Sequence, residues 1–189
     1  GWSLSAEEAA DYAGLQYMMK SKYEPSGIVT FMERLNSKNK VIDNLDWGIY
    51  RTHPPTADRV RALLRRMNEL KIPVRRSLAS PAYRSAVVQA GSDHELLFDG
   101  NVVFRFNGAN SADRAAKASK LVDQFLDTLP NLYEVRLEGM RVIGAGRTLF
   151  EVTEEDIEGS KTSKDEFMKQ TLKNVQRAVA AVRAKAWVQ

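Results

Sequence analysis

The chain has 189 residues, of which 43% are hydrophobic, 8% aromatic and 28% charged, a composition typical of a folded globular protein. We expect neither a membrane span nor a signal peptide in it, because no apolar run approaches the roughly 18 to 20 residues that a span needs and the N-terminus lacks a basic segment followed by an apolar one. The net charge of +4 is spread over both halves. Because phosphate binding needs clustered Lys and Arg, this small excess predicts no nucleic-acid partner.

The absence of cysteine excludes disulfides, thiolate zinc sites and a cysteine nucleophile. The two histidines, His53 and His94, lie far apart in the sequence, so a complete three-ligand zinc site cannot be built from His and Cys of these residues. His94 stands between two acidic residues, and we interpret it as part of a polar turn rather than as a metal ligand.

The first 72 residues show helical periodicity. Apolar residues recur at helical spacing in three segments. They are a helix from the capping box of Ser5 and Glu8 to about Lys22, a second over 26–37 before a polar loop at Asn36 to Lys40, and a third capped by Thr56 after an extended His53-Pro54-Pro55.

From Pro73 onward the pattern changes to strands and helices. The predicted elements are a hairpin over 95–106 turning at Asp99-Gly100, a helix capped by Asn110 or Ser111, strands over 133–138, 140–143 and 148–152, a helix after the capping box of Ser163 and Glu166, and another strand within 75–89. No internal repeat is evident. The sequence therefore predicts an α+β protein with a helical domain over 1–72 and a small α+β domain of unknown role over 73–189.

Two carboxylates, Glu7 and Asp11, stand four residues apart on the first predicted helix. Like charges at this spacing repel by a few tenths of a kcal/mol, which a cation would relieve. From spacing alone the simpler interpretation is favoured, in which Glu7 interacts with the helix dipole and Asp11 is solvated.

The residues around Glu7 and Asp11 favour a functional interpretation of this pair instead. Glu7-x-x-x-Asp11 is followed by Gly14-Leu15 and Tyr17-Met18, then by Tyr23-Glu24-Pro25, Phe31-Met32-Glu33-Arg34-Leu35 and Thr52-His53-Pro54-Pro55-Thr56-Ala57-Asp58-Arg59-Val60. In this order the motifs resemble the zinc metallopeptidase family that includes the HtpX-like proteases and the CaaX prenyl endopeptidases. The resemblance covers roughly residues 5 to 70, the part of the family that follows its zinc-binding helix.

The resemblance implies a role for four residues. Glu7 corresponds to the third protein ligand of the catalytic zinc, and Asp11 to a neighbour that orients it by hydrogen bonding. His53 would lie near the scissile carbonyl, and Arg59 would brace the acidic site. By residue type alone, the favoured interpretations are a loop histidine at His53 and a solvated helix arginine at Arg59.

One element of the family is absent. Nothing in these residues matches the H-E-x-x-H helix, whose histidines bind zinc and whose glutamate activates water. We therefore expect the C-terminal region of a zinc endopeptidase that acts on protein or peptide substrates and is inactive as this fragment. The alternatives are a degenerate peptidase or a non-catalytic protein-interaction module. The resemblance also implies a bacterial envelope location, on the periplasmic side.

Overall fold

The computed structural model describes residues 4–39 and 56–186, which form two compact units. The first comprises residues up to Ser80 together with those from Lys185, and the second comprises Pro81–Ala184. Helices alone make up the described part up to Ser80, and antiparallel sheets with helices make up Pro81–Ala184, so the predicted α+β class is confirmed. No helix in the described ranges is long and apolar enough to cross a membrane.

Four helices form the described part of the first unit: α1 (Leu4–Met19), α2 (Gly27–Asn39), α3 (Ala57–Glu69) and the single turn α4 (Arg76–Ala79). Their apolar faces meet in one core made of Leu15, Val29, Met32, Val60, Leu63 and Met67. This core sets α1, through Leu15, and α2 against α3, which carries its apolar residues on one side.

The predicted starts and ends of these helices are close to those in the structure. Thr56 caps α3 as predicted, and its side chain accepts a hydrogen bond from the backbone N–H of Arg59 at 3.3 Å. The predicted loop from Asn36 is wrong as far as Asn39, because α2 continues through it. No Gly or Pro occurs there to end the helix. The predicted extended segment at 53–55 lies outside the described residues.

The second unit contains six strands and three helices. In chain order they are β1 (Ala86–Ala90), β2 (Asp93–Phe98), β3 (Asn101–Phe106), α5 (Ser111–Asp127), β4 (Val135–Glu138), β5 (Arg141–Gly144), β6 (Arg147–Glu151), α6 (Glu154–Ser160) and α7 (Lys164–Lys185). The strands form two antiparallel sheets, β1-β2-β3 and β4-β5-β6, and every strand pairs with a sequence neighbour.

The two sheets repeat one pattern, which the sequence did not reveal. Each is a three-stranded meander followed by helix, and the turn between its second and third strands has two successive residues with positive φ, Asp99-Gly100 and Ala145-Gly146. Each also has a register shift just before that turn. The rings of Phe104 and Phe150 occupy corresponding positions and contact each other, with centroids 4.8 Å apart.

Several local predictions in the second unit need correction. The strand predicted within 75–89 occupies only the end of that stretch, because α4 and a 3-10 turn come first and β1 begins at Ala86. Tyr133 belongs to a 3-10 turn and is 80% exposed, because the strand begins at Val135. The short helix α6 was not predicted, although Thr153 and Asp156 form its capping box.

The change of pattern at Pro73 does not coincide with the division between the two units. Residues from Pro73 to Ser80 belong to the first unit, where Arg76 of α4 forms a buried ion pair with Glu33 of α2 at 2.9 Å. That residues 73–189 form a separate domain stays a prediction.

A carboxyl group in the second unit has a perturbed ionisation. Burial raises the pKa of Asp123 on α5, although hydrogen bonds from Ser85, including one from its backbone N–H at 2.8 Å, oppose this shift. A folded pKa above the unfolded value means that the folded state holds the proton more tightly. The stabilisation is present below the unfolded pKa near 4 and is lost as pH rises through the folded pKa.

We therefore expect Asp123→Asn to melt at a higher temperature than the wild type at pH 7 and to lose this part of the pH dependence, since the amide oxygen can still accept the bond from Ser85. Thermal melts of both proteins between about pH 3 and pH 8 measure the difference. Exposed Asp113→Asn on the same helix is the control. Parallel curves for Asp123→Asn and the wild type would contradict the expectation.

Candidate functional site

The acidic pair predicted from the sequence lies on one face of α1. Glu7 is in the first turn of this helix, and Asp11 follows one turn later. The side chain of Asp11 is 8% exposed and that of Glu7 is 19% exposed. Neither carboxylate is thus simply solvated, and each needs a partner that compensates its charge.

That partner is Arg59 in the first turn of α3. Its Nε and Nη2 atoms donate to the two carboxylate oxygens of Asp11 at 2.8 and 2.7 Å. Its Nη1 atom lies 3.1 Å from Oε2 of Glu7. The Thr56 cap contributes to this arrangement, because it fixes the start of α3 about one turn before Arg59.

Arg59 contacts the two carboxylates in different ways. Its guanidinium, on a side chain that is only 11% exposed, binds Asp11 in two-point geometry and lies against Glu7 with Nη1 3.1 Å from Oε2. Glu7 is the more exposed carboxylate of the two.

Three of the four residues assigned from the sequence therefore lie together, namely Glu7, Asp11 and Arg59. The fourth, His53, lies outside the described residues. The interpretation of His94 as part of a turn was wrong, because this residue lies within β2, where its Nδ1 atom is 3.0 Å from Oγ of Ser111. It belongs to the second unit.

Sequence reasoning missed a second contact between α1 and α3. The guanidinium of Arg66 lies over the ring of Tyr12, 4.3 Å from its centroid, and it also bonds Glu69 at 2.7 Å. The hydrogen bond from Arg66 to Glu69 raises the pKa of the guanidinium. The helical period puts Tyr12 beside Asp11 on α1, but only the packing of the helices shows which arginine it meets.

A buried ion pair that was not predicted from the sequence also lies in this unit. Glu33 is fully buried and Arg76 nearly so, and the Nε and Nη2 atoms of Arg76 donate to its carboxylate at 2.9 to 3.2 Å. This buried ion pair ties α4 to α2.

The donors present can be compared with what zinc requires. Structural and catalytic zinc sites in proteins have at least three protein ligands. In the described ranges no group of three His, Asp or Glu side chains is placed to hold a metal ion. Glu7 suits the metal as one carboxylate ligand, while the other ligands would have to come from beyond the described residues.

Comparison with protein families identifies the class of this segment. Residues 1–67 match the family model described as Peptidase family M48. The resemblance predicted from the order of the motifs is thus confirmed over these residues, and the family in question is one of zinc metallopeptidases. Comparisons with curated proteins and with solved structures find no match for the chain.

The geometry predicts a large effect of removing the arginine. Arg59→Ala leaves two nearly buried carboxylates without their shared counter-charge, which costs about 3 to 5 kcal/mol of folding free energy. Urea unfolding followed by circular dichroism measures this loss. Arg61→Ala on the same helix is the matched control, because Arg61 is 46% exposed and pairs with exposed Asp58, so we expect a loss below about 1 kcal/mol. Equal losses for the two variants would contradict the assignment.

Proposed function

We propose that this chain is part of a zinc metalloendopeptidase and that Glu7 is a ligand of its catalytic zinc. The observation that carries the proposal is the position of the Glu7 carboxylate, which contacts Arg59 while Arg59 binds Asp11 at two points, within the segment that matches the model of peptidase family M48. A divalent cation beside these two carboxylates would be attracted by their negative charge.

The contacts among Glu7, Asp11 and Arg59 suggest a different role for each residue. Asp11 holds Arg59 by two short hydrogen bonds, and Arg59 in turn reaches Oε2 of Glu7. Arg59 thereby positions the Glu7 carboxylate while Asp11 positions Arg59. Such positioning matters because a ligand held in one orientation binds a metal more tightly than a mobile one.

The reaction class follows from the proposed metal. Bound zinc would supply Lewis acidity to the carbonyl of the peptide bond and to the attacking water. Since no H-E-x-x-H motif occurs in the 189 residues, we propose that the helix that completes the site lies in another part of the peptidase. The substrates are proteins or peptides, and a bacterial envelope location is proposed on the family resemblance alone.

His53 is proposed to act on the substrate rather than on the metal. It stands in a His-Pro-Pro segment just before Thr56, and the resemblance in the order of motifs makes it the counterpart of the family's histidine. A histidine there would donate a hydrogen bond to the oxyanion that develops in the transition state.

Zinc content tests the role of the acidic cluster. In the peptidase that also carries the H-E-x-x-H helix, we expect Glu7→Gln to remove most of the zinc, because a neutral amide is a poorer ligand than a carboxylate. Asp11→Asn should weaken zinc binding by roughly 10- to 100-fold. Elemental analysis after dialysis measures both, with Glu8→Gln as the control on the same helix turn. Full zinc in Glu7→Gln would refute the ligand assignment.

The 189-residue chain alone should retain no stoichiometric zinc in the same measurement.

Kinetics test the role of His53. We expect His53→Ala to lower kcat by roughly 100- to 1,000-fold while zinc content stays nearly intact, since the lost hydrogen bond acts mainly in the transition state. The measurement is steady-state cleavage of a peptide substrate alongside elemental analysis of the same sample. An unchanged kcat would leave His53 as a loop histidine.

A further inference from the structure

A pocket in the second unit lies between the last two turns of α5 and the hairpin of β5 and β6. Its volume is about 310 Å³, which is within the range of small-ligand sites. The side that α5 and its end contribute consists of Leu121, Gln124, Phe125 and Thr128. The described residues of the hairpin that line it are Gly144, Ala145, Arg147, Thr148 and Leu149.

The floor of the pocket is apolar. Phe125 and Leu149 are buried, with 5% and 3% of their surface exposed. Both pack on the backbone of Gly144, where an added Cβ would lie 2.9 Å from Cε2 of Phe125 and 2.9 Å from Cδ1 of Leu149. Half-buried Leu121 adds a further apolar surface. An apolar side chain that enters the pocket is therefore removed from water on several sides, which favours its binding.

Among the described residues that line the pocket, Arg147 is the one that carries a charge. It is exposed and is the first residue of β6. Within residues 4–39 and 56–186 its guanidinium has no ion-pair or hydrogen-bond partner. A guanidinium binds a carboxylate at two points with good geometry, so the charge of the lining favours a ligand that carries a carboxylate.

The carboxyl end of α5, which adjoins the pocket, would by itself repel an anion, because the last carbonyl groups of a helix carry partial negative charge. Two side chains bond to carbonyl groups there. Nη1 of Arg183 donates to the carbonyl oxygens of Leu129 and Pro130 at 2.7 and 3.3 Å, and Oγ1 of Thr128 donates to that of Phe125 at 2.7 Å. The positive charge of Arg183 thus offsets the helix end, and Arg147 stays available for a ligand.

Two uncharged polar side chains, those of Gln124 and Thr148, also line the pocket. In the part of the chain that the structure describes, neither side chain has a hydrogen-bond partner. An amide and a hydroxyl can accept hydrogen bonds as well as donate them, whereas a guanidinium only donates. Because a carboxylate only accepts, these two acceptors suit a ligand with an N–H group close to its carboxylate. The last residue of a polypeptide has this combination.

We propose that this pocket binds the C-terminal residue of a polypeptide when that residue is apolar, with its carboxylate on Arg147 and its side chain against Phe125 and Leu149. The inference concerns the second unit alone and goes beyond the proposed zinc site, on which it does not depend. A fatty acid has the same charge beside an apolar body, but it has no N–H group to match Gln124 and Thr148. The polypeptide is therefore the occupant that the lining favours.

Peptide binding to the 189-residue chain tests the proposal without need of zinc. The probe is a short Gly-Ser peptide that carries fluorescein at its N-terminus and ends in Leu with a free carboxylate, and fluorescence anisotropy follows its binding. We expect saturable binding. The same peptide with an amidated C-terminus, or with Ser in place of the last Leu, should bind roughly tenfold more weakly or worse, because it lacks the charge or the apolar side chain.

Variants of the protein assign the binding to this pocket. Arg147→Ala should weaken it roughly tenfold, and Arg147→Lys should give an intermediate affinity, because lysine keeps the charge but not the two-point geometry. Gln124→Glu should weaken it several-fold, because it places a negative charge beside the carboxylate. Arg177→Ala and Gln170→Glu make the same kinds of change at exposed positions of α7 and should leave the affinity unchanged. Circular dichroism melts show whether each variant is folded.

Four results would overturn the inference. They are no binding by the wild-type chain, equal binding of the amidated peptide, equal affinity of a folded Arg147→Ala, or binding of octanoate through Arg147 in place of the peptide. None of them bears on the zinc assignment, which is decided by the metal content of Glu7→Gln. Conversely, peptide binding with the expected variant effects would stand even if Glu7→Gln kept its zinc.

Discussion

The contact between Arg59 and the acidic face of α1 is the constraint on which the first unit depends. Two carboxylates one turn apart cannot both be nearly buried unless a cation accompanies them. Arg59 meets this need from 48 residues further along the chain. The guanidinium of Arg59 must reach both carboxylate oxygens of Asp11, so the first turn of α3 has to lie beside Asp11 on α1. The Thr56 cap fixes where that first turn begins. The stacking of Arg66 on Tyr12 maintains the same alignment farther along α3.

Two arginine–carboxylate clusters in the described part of the first unit differ in their accessibility. Glu33 and Arg76 are almost completely shielded from solvent, so removal of either one is a question of stability. In the other cluster Arg59 contacts both Asp11 and Glu7, and the Glu7 side chain is 19% exposed. A carboxylate that a ligand can reach is a candidate metal ligand, whereas an enclosed one is not.

Much of the local structure could be predicted from the sequence, because local signals determine it. Thr56 as a cap, the Asp99-Gly100 turn and the helical spacing of apolar residues are all decided by near neighbours. The carboxylate pair on α1 could be predicted in the same way. Its contact with Arg59 could not be derived from spacing, since two helices far apart in sequence have to pack first; only the family resemblance indicated it. The Glu33–Arg76 pair had no such help and was missed.

Recognition of the repeat in the second unit failed for a related reason. The two meanders share backbone features, namely positive φ at Asp99-Gly100 and Ala145-Gly146 and the bulge just before each pair, but few side chains. Turn geometry tolerates several residue types, so similar backbones need not have similar sequences. Phe104 and Phe150 are an exception, and their rings touch.

The meander arrangement also bears on how the second unit reaches its folded state. Since every strand pairs with its sequence neighbour, each sheet can close over short loops at little entropic cost. Proteins rich in such local contacts fold faster than those whose strands pair across long stretches of chain. The contact between Phe104 and Phe150 is a long-range one, because it joins the two meanders. We therefore expect the two meanders to form early and independently, with the docking of these rings as the slower event that completes the unit.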